Sequence, residues 1–306
     1  MTPRIVSLLP SATEILCALG LESALVGRSH ECDYPSTVRR LPVCTESKIG
    51  NGSATRAIHA SISEILQNDI SVYRVDAELL RQLSPTHIIT QIQCEVCAVS
   101  LRDVEQAVAD WNRAPRIVPL NPQSLEDVFH DVRRAAGALG CRSAGETLVG
   151  SMRSRMDAIA AVARRLRPKP RVAAIEWLDP LMAAGNWMPT LIELAGGISA
   201  LGETGKHSAW IGWKDLIASD PDIIIVMPCG FHIADSERDW DLLAAHRAWG
   251  ALRAVQSGRV FIADGNQFFN RPGPRLAESL EILAEILHPK CFRFGHENVG
   301  WQRCEG

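Results

Sequence analysis

The chain has only two tyrosines in 306 residues, and aromatic residues make up 6% of it. It has no excess of charge of one sign: 32 Lys and Arg stand against 35 Asp and Glu, a formal net charge of -3. A broad cationic field for nucleic acid or anionic lipid is thereby excluded. The most strongly apolar stretch, Ile223 to Met227, falls far short of the roughly 18 residues that a membrane span needs. No GxSxG, GxxxxGK[ST], HExxH or GxGxxG following a first strand occurs, so nucleophilic and phosphate chemistry lack their usual scaffolds and a non-enzymatic role is expected. The first ten residues, Met1 to Pro10, contain no extended apolar stretch and run straight into a strand-like segment. They do not read as a signal peptide, so a cytoplasmic location is expected, or a periplasmic one where an export signal has been removed.

The length is enough for two ordinary domains, and 46% apolar with 22% charged residues is the composition of a soluble globular protein. Strand-like and helix-like stretches alternate. Arg4 to Leu9 reads as a strand, and Ser11 with Glu14 matches a capping box opening a helix that Gly20 closes. Leu25 to Ser29, His87 to Thr90 and Arg116 to Leu120 are further strands; Asp76 caps a helix through Leu83, and Ser124 opens one that ends at Gly140. Alternation of this kind predicts βαβ units and a parallel sheet.

Residues 143–167 differ. Ser143 and Glu146 form a second capping box, and Leu148, Met152, Met156, Ile159, Ala163 and Leu166 recur at helical spacing until Pro168. This predicts one helix of roughly 35–40 Å. The second half then echoes the first: Arg171 to Ile175 matches Arg4 to Leu8, Asp220-Pro221-Asp222-Ile223-Ile224 matches Ser84-Pro85-Thr86-His87-Ile88, and Arg259 to Ile262 matches Arg116 to Pro119. The expected architecture is α/β, two Rossmann-like lobes with parallel sheets bridged by one long helix. The expected divisions are 1–141, an N-terminal lobe; 142–168, the bridging helix; 169–289, a C-terminal lobe; and 290–306, a tail.

Open α/β sheets bind ligands beyond the carboxyl ends of their strands, and the unusual residues fall in those loops. His30, Cys32, Cys94, Cys97 and Cys229 are candidate ligands for a soft metal such as zinc or iron. Cys94 and Cys97 form a single CxxC, equally readable as junction packing or as a redox dithiol. Nine cysteines is an odd number, and in a reducing compartment most would be free thiols. Trp177, Trp187, Trp210 and Trp213 lie in predicted loops of the second half, where flat apolar walls suit a large planar ligand and core or lid packing is the other reading. Arg271, after Phe268-Phe269, is placed to anchor a carboxylate or amide-rich ligand.

Several motifs together resemble the cobalamin-binding branch of the ABC-importer substrate-binding proteins, of the class III periplasmic-binding-protein fold. They are Ser7 to Glu14; Val26-Gly27 followed by Asp33-Tyr34-Pro35; Leu79 to Thr90; Ala184-Gly185-Asn186; Glu193 to Gly197; and Phe268 to Arg275. The resemblance spans about residues 4–288 and implies two lobes bridged by one long helix, with a cleft holding a corrinoid. It implies ligand contacts from Tyr34, Trp187, Trp210, Trp213, Phe268 and Arg271, with Glu176, Trp177, His232 and Phe269 beside them. It also implies an ABC permease as partner, docked through Glu78 and Glu193, each otherwise readable as a solvated helix residue. The chain departs from the pattern in its cysteines and histidine and in the segment Ile49 to Val75, which looks like an insertion near the cleft. The expected function is a small-molecule-binding protein for cobalamin or a related corrinoid or metal chelate. The alternative is an intracellular metal-binding or thiol redox protein or enzyme using His30, Cys32, Cys94, Cys97 and Cys229.

Overall fold

A computed structural model describes residues 3–48, 54–67, 72–92 and 99–304. The chain divides into two compact units. Unit 1 is built from β1 (Ile5–Ser7), α1 (Pro10–Ala18), β2 (Leu25–Arg28), β3 (Thr45–Ser47), most of α2 (Thr55–Gln67), β4 (Tyr73–Val75), α3 (Ala77–Leu83), β5 (His87–Gln91), α4 (Leu101–Val108), β6 (Arg116–Leu120) and α5 (Leu125–Ala138). Its main sheet has the order β2-β1-β5-β6 and is parallel throughout, while β3 and β4 pair separately. Val6, Leu8, Leu80, Ile88, Val104 and Val108 form the core between sheet and helices.

The helix α6 (Arg142–Ala163) belongs to both units, the division falling between Gly150 and Ser151. Unit 2 continues with β7 (Arg171–Leu178), β8 (Leu181–Ala183), α7 (Met188–Leu194), β9 (Ile198–Ser199), β10 (Ala209–Trp210), α8 (Trp213–Ser219), β11 (Ile223–Val226), α9 (Ile233–Arg238), α10 (Asp241–Ala244), α11 (Arg253–Gln256), β12 (Val260–Ala263), α12 (Leu276–Leu287) and β13 (Trp301–Arg303). The sheet order is β10-β8-β7-β11-β12-β13, with β9 also on β7. Strands β7, β11 and β12 are parallel, and β11 and β12 are buried along their whole length, which is why their sequences are continuous apolar runs without alternation.

The two sheets share one plan. In each, three adjacent parallel strands, β1-β5-β6 and β7-β11-β12, stand in the same order, and they are the three pairs whose sequences echo one another. The units differ at the edges, where β2 joins in parallel and β8 folds back as a hairpin.

Several boundaries depart from expectation. Gly52–His59 and Gln123–Leu125 group with unit 2, and Glu126–Gly150 with unit 1. The tail is not an appendage: β13 pairs antiparallel with β12, and buried Glu285 accepts the backbone N–H groups of Phe294, Gly295 and His296 and the Trp301 indole. Neither expected capping box forms. Helix α1 opens at Pro10 with no side-chain cap, since Pro at the first position has no N–H to satisfy. Helix α6 opens one residue before Ser143, and Glu146 instead takes the Arg133 side chain. The Asp76 cap does form, its carboxylate accepting the Leu79 N–H at 2.9 Å.

Candidate functional site

At the carboxyl end of β1, Thr13 Oγ1 lies 2.8 Å from Ser7 Oγ and 3.0 Å from Cys32 Sγ, and Cys32 is buried in this knot. Arg28 organises the following loop by donating to the carbonyls of Ser29, His30 and Cys32. His30 is fixed by Thr45, whose hydroxyl lies 2.8 Å from Nδ1 and accepts the His30 backbone N–H. Burial, reinforced by the charge of Arg28, lowers the His30 pKa, so the ring is neutral near pH 7. Tyr34, beyond this loop, is exposed.

In unit 2 the strand-end loops converge because glycines let them. A Cβ on Gly265, just after β12, would lie 2.1 Å from the Pro228 carbonyl oxygen, just after β11. Only glycine permits that approach, and it sets Asp264 beside His232. Asp264 Oδ2 and His232 Nδ1 are 2.9 Å apart; the carboxylate is 4% exposed and the imidazole 51%. Asp264 also accepts the backbone and side-chain N–H groups of Gln267.

The proton placement follows. Asp264 accepts a hydrogen bond from Nδ1–H, which leaves Nε2 as the ring's acceptor. Asn266 Nδ2 lies 3.1 Å from that Nε2, and Arg271 Nη2 donates to Asn266 Oδ1 at 3.0 Å, which fixes the amide's orientation. The chain Arg271-Asn266-His232-Asp264 is thus polarised in one sense, with both ring nitrogens of His232 engaged. Nearby, Ser208 Oγ donates to Glu176 at 2.7 Å and accepts the Gly185 N–H.

The expected ligand contacts separate by exposure. Trp177, Trp187, Phe268, Phe269 and Arg271 are buried, and Trp187 Nε1 donates to the Phe269 carbonyl at 2.9 Å, so these residues build the wall behind the loops. Trp177 packs edge-on against Phe231. Trp210 is 55% exposed, its ring 5.1 Å from that of His59. Trp213 stacks on His246 at 3.7 Å and lines a separate cavity of about 490 Å3 with Asp179, Leu181 and Leu242. Sequence reasoning named His232 and Arg271 but missed Asp264 and Asn266; their signal was the polar pair Asp264 and Asn266 flanking a glycine directly after a buried strand.

Among the described residues no three His, Cys, Asp or Glu side chains converge as metal ligands. Cys94 and Cys97 lie outside the described residues. Cys32 is occupied in unit 1 by Thr13, and Cys229 stands in the β11 loop of unit 2. Glu78 on α3 and Glu193 on α7 are both exposed. No helix among the described residues is long and apolar enough to cross a membrane.

Two α/β units that share one strand order and part within a single long helix, with polar groups and aromatics gathered at strand ends, define a binding protein of the two-lobed class. The chain belongs to the periplasmic binding protein family, whose pattern matches residues 5–266. It is 26% identical over 296 residues to the uncharacterized ABC transporter substrate-binding lipoprotein YvrC of Bacillus subtilis, covering 95% of this chain and 81% of that protein. It is 23% identical to the vitamin B12-binding protein of Vibrio cholerae, covering 93% of this chain and 88% of that one. A periplasmic heme-binding protein from Pseudomonas aeruginosa has the same fold, with a TM-score of 0.71, 21% identity and coverage of 95% and 94%.

Proposed function

We propose that this chain is the substrate-binding component of an ABC-type importer and that its unit 2 strand ends take a metal-bearing tetrapyrrole, a corrinoid or heme. One observation carries the reading: His232 is half exposed, Asp264 orients its ring through Nδ1, and its Nε2 is engaged by the side-chain amide of Asn266, a neutral partner that an incoming ligand can displace. Displacement of the Asn266 amide would turn Nε2 to a metal at the centre of a flat macrocycle, with Asp264 holding the ring's orientation through Nδ1. Exposed Trp210 supplies a flat apolar surface of the kind a macrocycle face requires. The vitamin B12-binding and heme-binding proteins of the same fold support the ligand class. Glu78 and Glu193, exposed on α3 and α7, are the carboxylates proposed to dock on basic residues of a permease.

Titrating the protein with hemin and with aquocobalamin, followed by absorbance and calorimetry, tests the reading. We expect saturable binding of one of them with a ligand-field change in its visible spectrum, and His232→Ala abolishing that change. Absence of binding to both would overturn it. For docking, Glu78→Ala with Glu193→Ala is expected to leave tetrapyrrole affinity unchanged and to abolish stimulation of permease ATP hydrolysis; retained stimulation would refute the assignment.

A further inference from the structure

Strand β6 begins at Arg116, at the end of unit 1's sheet opposite the loops described above, and a cavity of about 350 Å3 opens there. Four arginines line it, Arg116, Arg133, Arg134 and Arg142, with one carboxylate, Glu146, over a floor of Gly137 and Ala138. Local sequence builds this convergence. A Cβ on Gly145 would lie 2.6 Å from Ala136 Cβ, so the Gly145 backbone packs directly on the Ala136 methyl group, and that close approach of α5 and α6 draws the arginines of both helices to one place.

The partners are unequally shared. Glu146 receives the Arg133 side chain with both oxygens, at 2.9 and 3.0 Å. Arg116 Nη1 donates to the Ala138 carbonyl at 3.3 Å, which holds it over the end of α5. Arg134 and Arg142 have no hydrogen-bond acceptor and no carboxylate within ion-pair distance among the described residues. Asp131, the acid that Arg134 influences, is buried and given over to the Asn121 N–H. Four guanidinium groups against one carboxylate leave a strongly positive cavity on a chain whose formal net charge is -3.

We propose that this cavity is a second binding site, for a small oligophosphate. Guanidinium forks match phosphate oxygens pairwise, and several converging forks favour an anion that presents more than one phosphoryl group. The arginines surround a hollow of small-molecule size, so a compact ligand is favoured over a lipid surface. The side-chain-free floor at Gly137 leaves room for it: a Cβ there meets only Arg142 Nε, at 3.8 Å.

Calorimetry with pyrophosphate and with ATP at low ionic strength tests this. We expect one saturable site whose affinity falls as salt is raised. Arg134→Ala with Arg142→Ala is expected to weaken it by about tenfold or more, since two charged donors are lost. Gly137→Glu, whose Cβ meets only ordinary contact and whose carboxylate would pair with the arginines, is expected to abolish it. Circular dichroism melting checks that each variant folds, and hemin and aquocobalamin titrations, unchanged in both variants, separate a failure here from a failure of the tetrapyrrole reading. No binding of either oligophosphate to the wild type would overturn the proposal. So would undiminished binding in the variants, or capture by anionic phosphatidylglycerol vesicles without binding of soluble oligophosphate.

Discussion

At the scale of single residues, the proposed tetrapyrrole site turns on His232, whose two ring nitrogens meet different partners. Asp264→Asn keeps the shape beside His232 but removes the charge that holds the Nδ1 proton, so tetrapyrrole affinity is expected to fall about 10–100-fold. His232→Ala is expected to lose the spectral change altogether. A titration in which Asp264→Asn matched the wild type would show that the carboxylate serves packing alone. The thiols offer a separate check. Burial pushes Cys44 and Cys17 up to about 11 and Cys304 up to about 12, while Cys291 is exposed. Alkylation near pH 8, mapped by peptide mass, is expected to modify Cys291 first and to reach Cys44 and Cys304 only after denaturation. His232 was legible as a residue after a buried strand. Its partner Asp264, 32 positions later, was not, because only the parallel pairing of β11 with β12 puts the two loops together.

At the scale of elements, α12 carries the clearest energetic test. Glu285 is buried and its two oxygens hold four N–H donors of the segment that follows the helix. Glu285→Ala leaves those donors without an acceptor and is expected to cost about 2–4 kcal/mol, read as a lower Tm and faster amide exchange over residues 294–303. One turn earlier, Glu281 Oε2 and His296 Nε2 are 2.9 Å apart, and Arg155 joins from α6. The Glu281 hydrogen bond raises the His296 pKa above the usual 6.5. Burial alone would raise that of Glu281, but the bonds from His296 and Arg155 outweigh it and hold the carboxyl below 4.5. A raised histidine stabilises below its ordinary pKa and loses that contribution as pH rises through the folded value. A lowered carboxyl stabilises above its ordinary pKa and loses it as pH falls. The pair is therefore at full strength between about pH 4.5 and 6.5, and His296→Ala is expected to lower Tm more at pH 5.5 than at pH 8.5. Equal losses at both would remove the charge from the account. Local pattern revealed the central strands and the Asp76 cap, whose causes lie within a few residues. It misread Ser11-Glu14 and Ser143-Glu146, where the first helix opens on a proline instead and Glu146 finds a stronger partner in Arg133 on another helix. Strand β13 escaped notice because three residues carry too little periodicity to mark a strand.

At the scale of the whole molecule, two units of one plan were foreseen from three echoed strand sequences, since buried parallel strands leave the same apolar signature wherever they occur. The exact division was not foreseen, because Gly52–His59 joins unit 2 through contacts distant in sequence. Its Thr55 N–H is held by Asp239, and Arg56 forms an ion pair with Asp179. Tetrapyrrole at 100 times its Kd is expected to stabilise the protein by about 2.7 kcal/mol. Hydrogen exchange should then slow at the carboxyl ends of β7, β11 and β12; protection appearing only on surfaces remote from those ends would place the ligand elsewhere.

The closing position of β13 also bears on how the protein is made. Synthesis runs from the amino terminus, so β12 emerges from the ribosome some forty residues before the strand that pairs along its outer edge. During that interval the nascent sheet exposes unpaired N–H and C=O groups beside an entirely apolar strand, a template for adhesion to another chain. Protection of unit 2 against aggregation is thus delayed until residues 301–303 have been made, and stalled or prematurely terminated copies should be the ones that burden the cell's chaperones.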